Sequence, residues 1–476
     1  MVDTLARSVH VGVDRHVPYR VSTGRRGRDT RGEHMSSPST SIRVGRRHRN
    51  RKAAAVAVML TAALVATACS SDSSSSSTSS SNSAAPGGAL VPLDPAAMDK
   101  VVDEMATEFR EIGMMVLVRT PEGDYTKSWG TLGIGSSEAP TPDTKVRIGS
   151  NTKTWTGTAI MQMVQEGKIS VDDPVSKYRP DVPNGQNITI GQLLDMRSGL
   201  YNYTATLELN TALDIEPQKV WTPEQLLALA FANPPLAPPG AEYNYSNTNT
   251  VLLGLIAEQL DGKPLGQIFQ DRFFSKLGMT GTSFPANTDT SIPATYVNGY
   301  SYSGNVETLG EGKESLSPER LAAIEAGTVT PRTTTNDNPS WTWAAGQGIS
   351  TANDLATWVK AIGKGDLLDE KTQKLRMDSV QPSDPEDPSG SSYGYGIAKM
   401  GPMYGHIGEM PGYNSFMGYD PVNDVTIVVW GNLAPTAEGI PPAAMVAKSL
   451  VPLIYAGPAT DTGEDIDDAA EDTSGG

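Results

Sequence analysis

Apolar residues between positions 98 and 148 follow two different spacings. Over 98–109 they recur every three or four positions, which predicts an amphipathic helix. The runs 114–119 and 124–129 flank a Pro-Glu-Gly turn and predict a β-hairpin. A short β-branched strand is predicted at 146–148, and Ser150 opens the helix that follows it.

The middle of the chain, 169–335, shows helical signals separated by long loops. At 222–225 a threonine precedes proline and, two positions later, glutamine, the pattern of a helix N-terminus with a capping box. The segment 251–260 is apolar almost all round and predicts a buried helix. Thr, Ser, Asn and Pro are abundant over 286–345, so we expect a long, partly ordered surface excursion there.

The C-terminal third returns to regular patterns. A helix is predicted at 350–362, a hairpin from the runs 415–420 and 425–433, and a closing helix at 445–455. The element order predicts an α+β fold, with an antiparallel sheet flanked by N- and C-terminal helices and a mainly helical subdomain inserted at about 169–335. We expect a catalytic cleft where the two parts meet.

The net charge of −16 is unevenly distributed along the chain. Residues 1–69 hold 13 of the 38 Lys and Arg residues but only 4 of the 54 Asp and Glu residues, which leaves 25 basic and 50 acidic residues in 70–476. An acidic body argues against nucleic acid or an anionic membrane surface as the main partner.

The N-terminal region has the order of an export signal. A basic stretch at 43–52 precedes an apolar run at 53–68, which is shorter than the ~20 residues of a transmembrane helix. The run ends at Cys69 in a pattern that resembles a bacterial lipobox. This resemblance implies export and lipid anchoring at Cys69 on the outer face of the bacterial cytoplasmic membrane. Met35 would give a signal of ordinary length, and an uncleaved membrane anchor is the alternative.

Composition separates the remaining regions of the chain. The serine-rich segment 70–90 predicts a flexible linker, and the acidic segment 457–476 predicts a disordered tail. A folded domain is therefore expected at 91–456. Cys69 is the single cysteine, so neither a disulfide nor a cysteine-based metal site is possible within the chain.

Ser150 and Lys153 are candidates for nucleophilic catalysis. Residues three apart on a helix lie on one face, so the hydroxyl and the amine can meet. A desolvated lysine is one of the bases that activates a serine hydroxyl, and a helix N-terminus offers N–H groups to a developing oxyanion. The alternative is a capping serine beside a solvated lysine.

Two further segments carry candidate chemistry. Tyr245 and Asn247 lie in a polar loop and could supply a proton-carrying phenol and a carbonyl-binding amide. His406, the one histidine after residue 69, precedes Gly408, where a substrate backbone could approach closely. A turn tyrosine and a structural strand histidine are the alternatives. With one histidine after residue 69 and one cysteine in the chain, a Ser-His-Asp triad and a zinc site are unsupported.

In this order, Ser150-x-x-Lys153, Tyr245-Ser246-Asn247 and His406-x-Gly408 resemble the motifs of the penicillin-recognising serine hydrolases. The nearest branch contains class C β-lactamases, serine D-alanyl-D-alanine carboxypeptidases and related esterases. The resemblance covers about residues 95–455 and includes the segments 188–194, 198–200, 245–254, 277–279 and 346–351.

The resemblance implies a role for each of these residues. Ser150 would be the acylated nucleophile, and Lys153 and Tyr245 would share the proton transfers, with Tyr245 protonating the leaving group. Asn247 would orient the acyl side chain, and His406 would polarise Tyr245. Further substrate contacts are implied for Gly408 and for an oxyanion hole formed by the backbone N–H groups of Glu409 and Ser150. No metal or cofactor is implied.

The third motif departs from the pattern of relatives that bind a substrate carboxylate. Those relatives carry hydroxyl groups in and after the motif and a lysine at its start, whereas this chain has His406, Ile407 and Glu409. We therefore expect a neutral ester or amide to be preferred over β-lactams and D-Ala-D-Ala stems.

Three functions fit these features. The leading one is a lipid-anchored serine hydrolase that forms a covalent acyl-enzyme on a small-molecule or peptidoglycan-like substrate. A D-alanyl-D-alanine carboxypeptidase or a β-lactamase is the alternative among enzymes. A non-catalytic, penicillin-binding-like cell-envelope lipoprotein is the alternative from another class, although a binding module would not need Ser150, Lys153 and Tyr245 together.

Overall fold

The computed structural model describes residues 88–309, 316–436, 439 and 441–456. The predicted signal region 1–69 with Cys69, most of the predicted linker and the predicted acidic tail lie outside the described residues. Within the described part, none of the helices combines the length and the apolar character needed to cross a bilayer.

An eight-stranded antiparallel sheet forms the centre of the domain, in the order β3-β2-β13-β12-β11-β10-β9-β8. The strands of the described residues are β1 Ala89–Leu90, β2 Gly113–Thr120, β3 Gly123–Gly130, β4 Val146–Arg147, β5 Tyr300–Ser301, β6 Arg332–Thr333, β7 Ile349–Ser350, β8 Gln381–Pro382, β9 Ser392–Gly394, β10 Ile397–Met400, β11 Met403–Met410, β12 Tyr413–Asp420, β13 Val425–Gly431 and β14 Tyr455–Ala456.

Helices surround this sheet and build the inserted part. They are α1 Pro95–Glu108, α2 Thr152–Gln165, α3 Ile190–Leu194, α4 Leu207–Ile215, α5 Pro223–Phe231, α6 Asn247–Asp261, α7 Leu265–Phe269, α8 Ser275–Leu277, α9 Pro318–Glu325, α10 Ala352–Lys364, α11 Glu370–Asp378 and α12 Pro442–Leu450. A π-helical turn, Gln270–Phe274, joins α7 to α8.

Both faces of the sheet are covered by helices. Along β2, Met114 and Val116 belong to the core that includes α1 and α12, whereas Met115 and Leu117 belong to the core that includes α2, α6 and α10. Alternate residues of a strand point to opposite faces, so a strand buried on both sides is apolar throughout. The predicted α+β architecture is confirmed.

The predicted terminal elements are present, with shifted bounds for two helices. Both predicted hairpins are confirmed, as β2–β3 and β12–β13. The closing helix α12 runs from Pro442 to Leu450 rather than over 445–455, because proline is favoured at the first helical position and Pro452 lies just beyond the helix. Helix α10 begins after Thr351, which caps it, rather than at 350.

The domain begins before position 91. Ala89 and Leu90, which we assigned to the linker 70–90, form β1 and pair with Ala456 and Tyr455 of β14. Val91 continues this pairing, since its N–H donates to the carbonyl of Ile454 at 3.0 Å. The two ends of the described domain are therefore held together by backbone hydrogen bonds, which a serine-rich composition could not indicate.

Helices α3 to α9 lie between β4 and β7 in the chain, as the predicted helical insertion requires. The expected surface excursion over 286–345 is wrong in part, because Val297 and Tyr300 are buried. Tyr300 bonds to the chain just after β13, accepting from Ala434 N at 3.0 Å. Polar side chains form hydrogen bonds with the backbone groups of this irregular segment. For example, Gly299 N donates to Thr335 Oγ1 at 3.0 Å.

Candidate active site

Ser150 lies in a short 3₁₀ turn, Gly149–Asn151, between β4 and α2. The side chain of Asn151 donates to Ser415 Oγ at 2.7 Å, and Ser415 Oγ donates to the carbonyl of Ile148 at 3.0 Å. Because Ser415 belongs to β12, these bonds fix the turn to the central sheet. The hydroxyl of Ser150 is thus carried on a rigid element at a helix N-terminus.

Two glycines allow the turn to approach β11 closely. Gly149 has a φ of +50°, and a Cβ there would lie 2.7 Å from the backbone nitrogen of Glu409. A Cβ on Gly408 would overlap the carbonyl oxygen of Ile148. Larger residues at either position would separate Ser150 from the strand that is predicted to bind substrate.

Lys153 reaches Ser150 from the first turn of α2. Its Nζ lies 2.8 Å from Ser150 Oγ, 2.6 Å from Asn247 Oδ1 and 3.0 Å from the carbonyl oxygen of Ala345. The side chain is buried, with 1% exposed. Burial lowers the pKa of the Lys153 amine well below its usual value, because desolvation disfavours the charged form.

The three contacts fit a neutral amine. An amide oxygen and a carbonyl oxygen accept hydrogen bonds only, so the two hydrogens of –NH₂ are directed to Asn247 Oδ1 and to the carbonyl of Ala345. The remaining lone pair then faces Ser150 Oγ. This arrangement suits removal of the serine proton.

Tyr245 and Asn247 enter the site at the start of α6. Asn247 is the first residue of the helix, and its Nδ2 donates to Thr204 Oγ1 at 3.2 Å. Tyr245 is 4% exposed, and Lys153 Nζ lies 4.7 Å from the centroid of its ring. The structure therefore brings Ser150, Lys153, Tyr245 and Asn247 together.

His406 lies in β11 with hydrogen bonds at both ring nitrogens. Nδ1 is 2.5 Å from the carbonyl oxygen of Ile407, and Nε2 is 2.9 Å from the hydroxyl of Tyr393. Its ring centroid is 6.2 Å from that of Tyr245. Burial lowers the pKa of His406 to about 3, so the imidazole is neutral. The hydroxyl that bonds to Nε2 is that of Tyr393, and the predicted polarisation of Tyr245 by His406 stays a prediction.

A cleft of about 170 Å³ opens at Ser150. Asn247 and Glu409 line it, so the residue expected to complete the oxyanion hole faces the same space as Ser150. Glu409 is the one ionisable side chain among its described lining residues, and no cationic group is among them. The other lining residues are Thr204, Asn210, Leu213, Asn305, Thr308, Leu309, Trp341, Thr342, Ala345, Gly346, Met410, Pro411 and Pro435.

Two participants were missed from the sequence. Ala345 contributes only its carbonyl, which no side-chain pattern reveals. Tyr393 lies in the segment Ser391-Ser392-Tyr393-Gly394-Tyr395, where two tyrosines two positions apart read as ordinary strand residues. Its pairing with His406 comes from the adjacent positions of β9, β10 and β11 in the sheet.

A sequence model of the family described as Beta-lactamase matches residues 98–450 of this chain. The protein belongs to the Beta-lactamase family. The resemblance predicted from the three motifs is thereby confirmed, and with it the β-lactamase/transpeptidase fold of a serine hydrolase family.

Two curated relatives share about a quarter of their aligned residues with this chain. PbpX of Bacillus subtilis (strain 168), whose name as a penicillin-binding protein is provisional, is 26% identical over 346 residues, or 71% of this chain and 76% of that protein. Protein flp of Staphylococcus aureus (strain MRSA252) is 25% identical over 330 residues, or 67% of this chain, and the match spans only 59% of its length.

A solved structure of a D-stereospecific amidohydrolase from a Streptomyces species is also similar to this Beta-lactamase family member. The two are 28% identical, with a TM-score of 0.63. The match covers 75% of this chain and 98% of the amidohydrolase, so the similarity extends over nearly all of that enzyme.

Proposed function

We propose that this member of the Beta-lactamase family is a serine hydrolase that forms a covalent acyl-enzyme at Ser150 on ester or amide substrates. One observation carries the proposal: the buried amine of Lys153 lies 2.8 Å from Ser150 Oγ, with its other two contacts on oxygen acceptors. A positioned base of this kind contributes about 10²–10⁴-fold to a rate.

In the proposed reaction, Ser150 Oγ attacks the substrate carbonyl carbon while its proton passes to Lys153 Nζ. The carbonyl oxygen becomes an oxyanion, which the backbone N–H groups of Ser150 and Glu409 stabilise. Tyr245 delivers its proton to the leaving oxygen or nitrogen as the bond to carbon breaks, and takes the proton held by Lys153 in its place. Water then attacks the ester at Ser150 and gives a proton to Lys153. That proton passes to Oγ as the ester bond breaks and the acid is released.

The charge of the cleft supports a substrate without a carboxylate at the reacting end. Among the described lining residues there is no cation to pair with a substrate carboxylate, and Glu409 adds a negative group. We propose that a neutral ester or an amide is preferred over a penicillin or a D-Ala-D-Ala peptide. The similarity to a D-stereospecific amidohydrolase supports an amide bond as one substrate class.

Intact mass after treatment with a fluorophosphonate tests the acyl-enzyme. We expect one adduct on the full chain and none on Ser150→Ala. A Ser170→Ala variant is the matched control, since Ser170 is an exposed serine on another loop, and it should keep the adduct. A folded protein that forms no adduct contradicts the proposal and favours the non-catalytic alternative.

Competition for the same labelling tests the substrate class. Equal concentrations of a neutral ester, a D-amino acid amide, a penicillin and a D-Ala-D-Ala peptide are added before the fluorophosphonate. We expect protection by the ester or the amide. Strong protection by penicillin, or release of D-alanine from the peptide, would instead identify a β-lactamase or a D-alanyl-D-alanine carboxypeptidase.

We also propose that the protein is exported and anchored to the outer face of the bacterial cytoplasmic membrane by a lipid on Cys69. The basic stretch and the apolar run before Cys69 support this. Metabolic labelling with a fatty acid should mark the wild-type protein and not Cys69→Ser, and the variant should leave the membrane fraction. Labelling that persists in the variant contradicts the anchor.

A further inference from the structure

Tyr393 has a hydroxyl group that the reaction proposed above does not use. It lies on β9, is 3% exposed, and its hydroxyl is 2.9 Å from Nε2 of His406. A separate small cavity is lined by Tyr245, Tyr393 and His406, and Ser150 is not among its lining residues. The tyrosine thus stands behind the catalytic groups rather than in the cleft.

The hydrogen bonds of His406 define which nitrogen carries the proton. The carbonyl oxygen of Ile407 can only accept, so Nδ1, at 2.5 Å from it, carries hydrogen. A neutral imidazole has one N–H, and Nε2 is then the acceptor. The hydroxyl of Tyr393 must therefore donate to Nε2.

A buried cation lies close enough to Tyr393 to act on it. The guanidinium of Arg376 is fully buried, donates to Thr158 Oγ1 and to the carbonyl of Gly396, both at 3.0 Å, and has no ion-pair partner among the described residues. Desolvation raises the pKa of Tyr393, while Arg376 acts in the opposite direction. The phenol stays protonated, as a donor to His406 must be.

The rings of Tyr393 and His406 both pack against the ring of Tyr245. The rings of Tyr245 and Tyr393 meet edge to face, with centroids 6.3 Å apart and planes at 88°. The rings of Tyr393 and His406 are 5.5 Å apart at 89°, and those of Tyr245 and His406 are 6.2 Å apart. Edge-to-face packing of this kind restricts ring orientation.

We infer that Tyr393 is a positioning residue: by donating to His406 it holds the imidazole as the Nδ1–H tautomer, and the two rings together hold Tyr245 beside Lys153. The inference rests on the proposed function for the catalytic role of Tyr245. The hydrogen-bond arrangement itself does not depend on that role.

Nitrogen NMR of the histidine ring tests the arrangement without any substrate. His406 is observed alone in a full chain in which the other histidines, His10, His16, His34 and His48, are changed to glutamine and histidine is labelled with ¹⁵N. We expect the ¹⁵N chemical shifts of a neutral ring protonated at Nδ1. These chemical shifts should stay unchanged between about pH 5 and pH 9, although Lys153, Tyr245 and Tyr393 face the ring. An Nε2–H tautomer, or a ring that titrates in this range, overturns the inference.

Steady-state kinetics of Tyr393→Phe test the positioning role. The substitution keeps the ring but removes the hydroxyl that donates to His406. We expect kcat for an ester substrate to fall about ten-fold while KM changes little, because a misplaced catalytic group slows the reaction without weakening substrate binding. The ¹⁵N pattern of His406 should change in the same variant. Tyr395→Phe, two residues further along, is the matched control and should leave both readouts unchanged.

The two proposals fail in different ways. Tyr393→Phe with wild-type kcat and an altered ¹⁵N pattern overturns the positioning role and leaves the acyl-enzyme proposal intact. A wild-type protein that forms no fluorophosphonate adduct overturns the proposed function, and with it the positioning role, even where the Nδ1–H tautomer is observed.

Discussion

Lys153 Nζ and Ser150 Oγ lie 2.8 Å apart in a site where the lysine has almost no solvent contact. Their spacing along the chain permits this contact, but the hydrogen bonds from Lys153 to Asn247 and Ala345 hold the amine in place. Burial, which disfavours the charged form, favours the neutral amine that can act as a base. The pair is therefore arranged for proton transfer before any substrate binds.

Replacing Lys153 by methionine should abolish most of the activity. We expect ester hydrolysis to fall about 10³-fold, because the base that takes the Ser150 proton is lost. The buried oxygens of Asn247 and Ala345 lose a hydrogen-bond donor, which lowers the free energy of unfolding by ~1–3 kcal/mol. Removal of a desolvated amine partly offsets this loss. Lys145→Met is the control, since Lys145 Nζ donates to the carbonyl of Ala294 and Lys145 is outside the described cleft lining. Wild-type turnover by Lys153→Met would contradict the assignment of the base.

Activity should fall as the pH is lowered through the pKa of Lys153. Burial depresses this pKa well below 10.5, so the amine is neutral at pH values where an exposed lysine is charged. Between the folded pKa and 10.5 the unfolded chain binds the extra proton, so stability also decreases as the pH falls within this window. The measurement is the pH dependence of kcat/KM beside thermal unfolding. A rate that is lost only as the pH rises would contradict this role.

Two glycine substitutions separate backbone strain from steric overlap at the nucleophile. Gly149 and Gly167 both have positive φ, +50° and +69°, but only at Gly149 does an added Cβ meet other atoms, the backbone of Glu409. We expect Gly167→Ala to cost ~1–2 kcal/mol and to keep activity. Gly149→Ala should cost more and reduce fluorophosphonate labelling strongly, because the turn must move away from β11. Equal labelling of the two variants would show that the contact with Glu409 does not matter.

The motif predicted the contact between Ser150 and Lys153 because the two residues are three positions apart, across the 3₁₀ turn and the start of α2, where spacing alone determines proximity. Asn247 also follows from its motif, since it begins a helix that packs against α2. Tyr393 could not be predicted in the same way. Its partner is His406, thirteen residues later, and the contact exists because β9, β10 and β11 are adjacent in the sheet.

The segment 286–345 shows why composition misleads about burial. Thr, Ser and Asn are frequent on surfaces, and the segment was therefore expected to lie outside the core. In the structure, Thr335 accepts from Gly299 N, and Asn338 donates to the carbonyl of Asn287. Both side chains are buried and replace the hydrogen bonds that an irregular backbone lacks. A polar sequence can thus form the inside of a domain when its groups pair with each other.

Substitution of Glu409 should change which substrate charge is accepted. Glu409 is the one carboxylate among the described residues that line the cleft. Removing its charge with Glu409→Gln leaves the backbone N–H in place, so we expect kcat/KM for a neutral ester to change little. For an ester that carries a carboxylate near the reacting bond, kcat/KM should rise about ten-fold, or ~1.4 kcal/mol.

The control for this charge effect is Glu122→Gln, in the exposed turn between β2 and β3, which is outside the described cleft lining. It should leave the ratio of the two substrates unchanged. If Glu409→Gln also leaves that ratio unchanged, the side chain of Glu409 does not select substrate charge.

Glu111 should make the stability of the domain fall as the pH rises. It is buried against the sheet, where Asn414 Nδ2 donates to Oε1 at 2.8 Å and Asn432 N donates to Oε2 at 2.9 Å. Burial raises its pKa from 4.5 to about 8. A carboxyl whose folded pKa exceeds its unfolded value stabilises fully below pH 4.5, and this stabilisation is lost as the pH rises towards 8.

Glu111→Gln tests this dependence, because glutamine does not ionise. At about pH 5 the variant should be less stable than wild type by ~1–3 kcal/mol. The carboxyl oxygens of Glu111 accept hydrogen bonds from two N–H groups, and the amide NH₂ of glutamine would face one of these donors without accepting from it. At about pH 9 the difference should shrink or reverse, because only the wild type then holds a buried negative charge. Denaturant unfolding measures the difference in free energy of unfolding between variant and wild type at each pH. Glu108→Gln, at an exposed position, is the control. A difference between Glu111→Gln and wild type that is the same at both pH values would show that Glu111 does not titrate in this range.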